Sequence, residues 1–494
     1  MDAKKSTTTT KFCKLTPTHP WESGKHQKDE ACKQHPIPHD INLVQRYQPS
    51  EESCESCEHD AQMQLDETFI CLVHSARTVE KTSFIACKVT ILFRIISIFV
   101  AEILKNKQLT NQATLDFIQQ HRTDDVRRLA LQGAKHPEVD LHYALEQIAG
   151  WQKARTKLPS WSACESLVYP PHLSMEQCSS EATATYKAQI ADQGRLFVDL
   201  TAGFGVDAAF IAQGFQQAVI IEQQENLCAI VAENYKRLGL SQVEVFCGDG
   251  VEYLHSMEHA DLIFIDPARR DEHGGRTYGI ADCTPNVLEL REELLAKADR
   301  VILKLSPMLD WRKAVDDLRK VNEVHIVSVE NECKELLLVM SETAKPLQVF
   351  CVNDDEVFAF SPALSQGFSQ LPVPSSFRFL YVPNASIMKA GCFGELAERF
   401  LMAPLDRNSH LFVSDDEVPG FPGRCFYVDK MISMNKRELK EALAGIHQAN
   451  IAVRNFPLSV AALRKRLKLQ DGGDTYIFAT TVADRGHQLL ICHK

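Results

Sequence analysis

The stretch Leu196-Phe-Val-Asp199-Leu-Thr-Ala-Gly203-Phe-Gly205-Val-Asp207 carries a short apolar strand into a glycine loop and on toward a helix. That succession predicts an α/β fold with a doubly wound, Rossmann-like sheet, in which such a loop holds a nucleoside ligand. Gly203 and Gly205 let the backbone come close to a ligand, and the loop's free amides are expected to open toward it. Gly203, Gly205 and Ala208 also satisfy the dinucleotide pattern G-x-G-x-x-G/A formally. In that pattern, however, the first glycine follows directly on the strand to make room for a pyrophosphate. Here Asp199, Thr201 and Ala202 intervene, and a carboxylate at the strand end suits a cation better than a phosphate.

The sequence downstream repeats the theme. Ala218-Val-Ile-Ile221 is a second apolar run and ends in Glu222, about twenty residues after the glycines, the separation at which an acid meets ribose hydroxyls. Gln223 to Leu238 reads as a helix stopped by Gly239. Val243-Glu-Val-Phe246 leads to Cys247-Gly248-Asp249-Gly250, where Asp249 could accept a hydrogen bond from an adenine amino group. Asp261-Leu-Ile-Phe-Ile265 ends in Asp266-Pro267-Ala268-Arg269-Arg270, and Val301-Ile-Leu-Lys304-Leu305 closes on Ser306-Pro307. Each polar group stands at the carboxyl end of a strand, where open α/β sheets bind ligands. The expected cofactor residues are therefore Asp199, Ala202, Gly203, Gly205, Asp207, Glu222, Asp249 and Gly250.

With Glu176-Gln-Cys-Ser-Ser180, Pro383-Asn384-Ala385, Met388-Lys389-Ala390-Gly391, Phe421-Pro-Gly-Arg424, Asn455-Phe-Pro457 and Leu463-Arg-Lys-Arg-Leu467, the chain resembles a bacterial family of class I methyltransferases. Members of that family use S-adenosylmethionine and carry a ferredoxin-like insert and a THUMP-like C-terminal domain. The resemblance begins near Ile103 and runs to the C-terminus. It implies S-adenosylmethionine as cofactor and structured RNA, ribosomal or transfer, as partner, without implying which nucleotide is methylated. The cofactor has a sulfonium and an ammonium and no phosphate, in keeping with the strand-end acids.

Methyl transfer is an in-line displacement, so a catalyst must align the nucleophile and accept any proton that leaves it. Asp266, followed by Pro267, stands where such a group belongs. Amino-directed nucleic-acid methyltransferases have Asp or Asn, two prolines and an aromatic there; this chain has Ala268 for the second proline and Arg269 for the aromatic. A ring nitrogen or carbon is therefore open as acceptor alongside an exocyclic amine. Arg269 is read either as stacking on a base or clamping a phosphate, or as pairing with Asp271 or Glu272. Lys304 lies within an apolar strand, where an ammonium needs a partner or an exit to the cleft. Pairing with Asp266 or another strand-end acid would provide it.

The 494 residues suffice for about three domains, and a formal charge of −11 argues against coating nucleic acid broadly. A local basic patch is expected at Arg464, Lys465, Arg466 and Lys468 on an amphipathic segment Ser459 to Leu469, extended by Arg454 and Lys389. Residues 103–192 read as helices, among them Asp124 to Ala134 after a capping Thr123, with Gln177 or Ser179 able to reach the cleft. Residues 193–345 form the methyltransferase domain, 346–428 a small β-rich ferredoxin-like domain, and 429–494 an α+β THUMP-like domain with the order helix, helix, strand, strand.

Residues 1–102 are a different kind of sequence, an appended leader. Residues 1–68 are polar and aperiodic, which suggests disorder. Cys54-x-x-Cys57 with Cys32, His35, His39 and His59 lacks a second C-x-x-C, so no metal site is assigned. Phe84 to Val100 is interrupted by Lys88 and Arg94 and falls short of the ~18 apolar residues of a membrane span. The scattered cysteines fit a reducing cytoplasm. Two rival functions stay open: methylation of a protein or small molecule, and RNA binding by a vestigial cofactor fold.

Overall fold

The computed structural model describes residues 111–131, 136–269, 279–362 and 372–494. The expectations for the leader, and for Arg270, Asp271 and Glu272, lie outside the described residues. The first four strands fall where the apolar runs place them: β1 (Gly194–Asp199), β2 (Phe215–Glu222), β3 (Val243–Cys247) and β4 (Ala260–Ile265). A short antiparallel ribbon follows, β5 (Ala268–Arg269) with β6 (Cys283–Thr284). Then come β7 (Ala298–Leu305), β8 (Val321–Val329), β9 (Glu332–Met340), β10 (Gln348–Asn353) and β11 (Glu356–Phe360).

Apart from the β5–β6 ribbon, these strands form one sheet in the order β11-β10-β8-β9-β7-β4-β1-β2-β3. From β3 to β7 all neighbours are parallel. Both faces are covered, and successive residues divide between two cores: Val198 and Ile263 enter one, Phe197, Leu262 and Phe264 the other. Continuous apolar runs are what such doubly buried strands require. Each of these side chains contributes about 1.5 to 3 kcal/mol on burial. Chain order reverses at β1, which pairs with β2 on one side and β4 on the other, so the crevice opens above its end. Beyond β7 the antiparallel β9 is wedged between β7 and β8, a departure from the order 3-2-1-4-5-6 of dinucleotide-binding sheets.

Two boundaries differ from expectation. Leu347 to Val352, read as the start of the small β-rich unit 346–428, supplies β10, which pairs in parallel with β8 and extends the large sheet. The physical reason is the open edge of β8: β10 satisfies its hydrogen bonds while burying Val349 and Cys351 in the common core. The second boundary, at 429, runs through a strand. Strands β12 (Phe379–Pro383), β13 (Ala403–Pro404), β14 (Phe412–Ser414), β15 (Gly423–Ile432), β16 (Asn450–Arg454), β17 (Tyr476–Val482) and β18 (Gly486–His493) make a second sheet, ordered β13-β14-β12-β15-β18-β17-β16. The ferredoxin-like and THUMP-like regions thus share one sheet through β15. Strand β16, between two helices, was absent from the expected order.

Ahead of β1 the chain is helical. Helices Gln112–His121, Val126–Ala130, Leu141–Lys157 and Glu181–Ile190 are capped by the side chains of Asn111, Asp125, Asp140 and Ser180. Asp125 takes the cap expected of Thr123, and that helix is shorter than the 124–134 pattern. Backbone Val168 and Tyr169 are each gripped at both N–H and C=O by a carboxamide, that of Asn234 and that of Gln147. Those clamps fix the bundle against the sheet. No helix among the described residues is long and apolar enough to cross a membrane.

Candidate active site

A cleft of about 1030 Å³ opens at the carboxyl ends of β1, β2, β4 and β7, lined by the glycine loop, Glu222, Asp249, Asp266 and Lys304. The glycine loop differs from expectation in one respect that bears on chemistry. Four of its amides are already engaged: Thr201 N–H donates to Asp199 Oδ1 at 2.9 Å and Ala202 N–H to the Ile221 carbonyl at 2.9 Å. Gly203 N–H donates to Glu222 Oε2 at 2.8 Å and Gly205 N–H to the Ala202 carbonyl at 2.8 Å. Donors spent on the protein's own acceptors cannot cradle a phosphate. The two glycines also have different jobs. Gly203, at φ +56°, faces open space, whereas a Cβ on Gly205 (φ +74°) would lie 2.4 Å from the Tyr235 hydroxyl, which donates to the Gly205 carbonyl. Gly250 lets its helix approach the loop, since a Cβ there would lie 2.1 Å from the Leu200 carbonyl oxygen.

Glu222, at the end of β2, is oriented by two backbone donors, Gly203 N–H and Gln224 N–H, the latter at 2.8 Å to Oε1. Asp249 caps the helix Gly250–Ser256 through Oδ1, which accepts from Val251 and Glu252 N–H, while Oδ2 accepts from Gln223 Nε2 at 2.8 Å. Both carboxylates are held rigidly at the cleft wall.

Beneath the loop lies a buried charged network. Lys304 Nζ donates to Asp266 Oδ2 at 2.7 Å, Ser179 Oγ at 3.1 Å and Asp207 Oδ2 at 3.2 Å. Lys187, fully buried on the helix Glu181–Ile190, pairs with Asp207 Oδ1 at 3.2 Å and with Glu335 on β9. Burial alone would raise the Asp207 carboxyl, but Lys187 and Lys304 outweigh it and hold the group at about 2. Burial would likewise strip the proton from Lys304; Asp207 and Asp266 reverse that and push its pKa well up. Asp199 moves the other way: full burial raises it, and the charges of Asp207 and Asp266 add to the rise despite the Thr201 hydrogen bond. The network's three carboxylates, Asp207, Asp266 and Glu335, face two ammoniums, with Asp199 beside them. Such a site favours an added positive charge.

The main-chain N–H of Asp266 donates to Thr201 Oγ1 at 2.6 Å, locking the end of β4 to the glycine loop. Pro267 is buried and Ala268 exposed on the cleft wall, facing Thr284, Pro285 and Asn286. Arg269 occupies the last position of β5; its side chain lies outside the described residues. The structure thus brings Asp199, Ala202, Gly203, Gly205, Asp207, Glu222, Asp249, Gly250, Asp266, Pro267 and Lys304 to one crevice, as the sequence pattern requires.

Two members of the expected basic patch are not free for a ligand. Arg464 pairs with Asp471 at 2.5 Å and donates to the carbonyls of Ala449 and Gln470. Lys389 donates to the Leu309 carbonyl at 2.8 Å, tying its helix to the large sheet. Lys465, Arg466 and Lys468 are exposed and Arg454 is half-buried. Lys187 and Glu335 were missed. Lys187 shares a helix face with buried Thr183 and Ala184, so a lysine on an apolar stripe was the available signal.

Known proteins agree with this architecture. Residues 379–422 match a ferredoxin-like domain model, and residues 423–494 a THUMP domain-like model. The crystal structure of a candidate methyltransferase from Porphyromonas gingivalis W83 is 32% identical, with a TM-score of 0.70, covering 77% of this chain and 97% of that one. Two curated relatives, both ribosomal RNA small subunit methyltransferase J of Legionella pneumophila (strains Philadelphia 1 and Corby), are 30% and 29% identical over 83 residues. That match spans 15% of this chain and 34% of either relative. Sheet order, site and likeness over nearly the whole P. gingivalis protein lead to one conclusion: the chain belongs to that methyltransferase family, with ferredoxin-like and THUMP-like regions following its Rossmann-like sheet.

Proposed function

We propose that this protein transfers the methyl group of S-adenosylmethionine to a base in structured RNA, ribosomal or transfer. The observation that carries the reading is the crevice at the β1–β4 switch point, where the amides of Thr201, Ala202, Gly203 and Gly205 are spent on the protein's own acceptors and Asp207, Asp266 and Glu335 face two ammoniums. A dinucleotide's pyrophosphate would find those four donors already engaged, and a cationic, phosphate-free cofactor would meet opposite charge. Glu222 would hold the ribose hydroxyls, Asp249 and Gly250 the adenine, and the Asp199–Gly205 loop with Asp207 the methionine end. When bound, the cofactor supplies an electrophilic methyl group.

Asp266 is positioned to accept the proton that the nucleophile loses, and Lys304 fixes that carboxylate and balances its charge. Pro267 shapes the turn that presents it. RNA as substrate is supported by the THUMP-like match and by the partial likeness to ribosomal RNA methyltransferases. Calorimetry should find S-adenosylhomocysteine binding and no NADH binding; the reverse result would overturn the cofactor reading. Mass mapping of ribosomal and transfer RNA from a deletion strain should find one methylated base missing. Complete RNA modification in that strain would sink the substrate.

A further inference from the structure

Among the described residues the Asp266 carboxylate has one side-chain partner, Lys304, so whatever orients Lys304 decides where that carboxylate points. An ammonium has three N–H donors. Those of Lys304 go to Asp266 Oδ2 at 2.7 Å, Ser179 Oγ at 3.1 Å and Asp207 Oδ2 at 3.2 Å. Ser179 acts on both ends of the last of these contacts. Its hydroxyl donates to Asp207 Oδ2 at 2.7 Å while its oxygen accepts from Lys304, closing a ring of three groups. With all three donors assigned, the ammonium cannot turn without breaking one of its bonds.

A serine at a helix start is ordinarily a cap, but here the cap of the helix Glu181–Ile190 is Ser180, which accepts from Thr183 N–H at 3.3 Å. Just upstream, Cys178 N–H closes the helix His172–Gln177 on the Ser174 carbonyl at 3.0 Å. Ser179 is therefore fixed between two helices, 7% exposed, on the wall of the cleft. Further along the second helix, Lys187 meets the other oxygen of Asp207, at 3.2 Å on Oδ1. One segment of the N-terminal helical region thus grips Asp207 at both oxygens, and the carboxylate cannot swing away from Lys304. Although Ser179 faces the crevice, its hydroxyl proton is already engaged by Asp207, so the side chain orients the ammonium instead of donating to a ligand.

We propose that Ser179 is a positioning residue for methyl transfer: by holding Lys304 against Asp207 it aims the ammonium, and through it the Asp266 carboxylate, at the proton that leaves the nucleophile. This role rests on the reading of Asp266 given above. Transfer of labelled methyl groups from S-adenosylmethionine to RNA isolated from the deletion strain tests it, with Ser179→Ala, Asp266→Asn and the double variant of the full chain. Ser179→Ala should lower kcat about ten- to a hundred-fold while KM for S-adenosylmethionine and affinity for S-adenosylhomocysteine stay within about two-fold. Asp266→Asn removes the carboxylate that Ser179 serves, so adding Ser179→Ala to it should cost less than about two-fold more. Ser179→Cys keeps the bulk with a much weaker donor and acceptor, and takes the place of the alanine variant if that one loses S-adenosylhomocysteine binding; its kcat should fall in the same direction. Wild-type kcat in the serine variant, a loss confined to KM, or a loss that multiplies with that of Asp266→Asn would each overturn the positioning role and leave the reading of Asp266 standing. Wild-type turnover in Asp266→Asn, or no transfer to RNA by the wild type, would overturn that reading and the proposal together.

Discussion

Asp207 sits between two ammoniums, in ion-pair contact with Lys187 through Oδ1 and accepting from Lys304 on Oδ2, and Lys187 is fully buried. Removing its charge would leave both cations under-compensated, so Asp207→Asn should lower unfolding free energy by about 3 to 5 kcal/mol in urea titration. The pH dependence follows from the depressed carboxyl. A group near 2 when folded and near 3.8 when unfolded contributes stability that is fully present above about pH 4 and is lost as pH falls toward 2. The gap between wild type and Asp207→Asn should therefore narrow across that window, by roughly 2 kcal/mol, and a gap independent of pH would contradict the pairing. Asp266 is less buried, and its partner Lys304 keeps Asp207 if it is neutralised. Asp266→Asn should thus fold normally, bind S-adenosylhomocysteine within a few-fold of wild type, and lose about 10²- to 10⁴-fold in turnover. Wild-type turnover in that variant would remove Asp266 from the chemistry.

At the scale of the element, the glycine loop separates two reasons for glycine that look identical in sequence. Gly203→Ala meets only the cost of left-handed backbone, about 1 to 2 kcal/mol. Gly205→Ala adds a collision with the Tyr235 hydroxyl and should cost about 3 kcal/mol or more, read as the difference between the two unfolding midpoints. Equal losses would mean that helix Glu225–Arg237 does not bear on the loop as described. The same contrast explains what was legible beforehand. β1, β2, β4 and β7 hold apolar runs closed by a polar residue at or just past the strand end, and such runs announce largely buried strands and mark their functional ends, whereas β3 is a mostly exposed edge strand. Leu347 to Val352 announces a strand equally well, but an apolar run does not say which edge it will join, and only the exposed edge of β8 decided that. Lys187 was hidden for a different reason: its partners lie 20 and 148 residues away, on the glycine-loop helix and β9, and no local spacing links them. The amides of the loop were misjudged because their acceptors, Glu222 and the Ile221 carbonyl, become neighbours only when β2 pairs with β1.

Across the whole molecule, the ferredoxin-like region has no separate core, whereas the THUMP-like region has an apolar cluster of its own around Leu463, Ile477 and Leu489. Tyr381, Ile387, Ala390, Leu396, Phe412 and Phe421 belong to the same apolar cluster as Val324, Leu336, Leu338 and Trp311 of the large sheet and its helices. Polar ties cross the same boundary: Trp311 Nε1 donates to the Ala390 carbonyl at 3.3 Å, Lys389 to the Leu309 carbonyl, and Ala385 N–H to Asn331 Oδ1 at 2.9 Å. A truncation before Phe379 would lay one face of the methyltransferase core open to water, so loss of activity in such a fragment would say nothing about RNA binding. Substitution is the cleaner probe. Ile387→Ala, at a fully buried position in the ferredoxin-like region, should cost about 2 to 5 kcal/mol. If the core is continuous, differential scanning calorimetry will show the transition of the large sheet moving down with it, and S-adenosylhomocysteine will raise that same transition. Two endotherms, with the substitution lowering one and the ligand raising only the other, would show that the sheets unfold independently and that the shared cluster does not couple them.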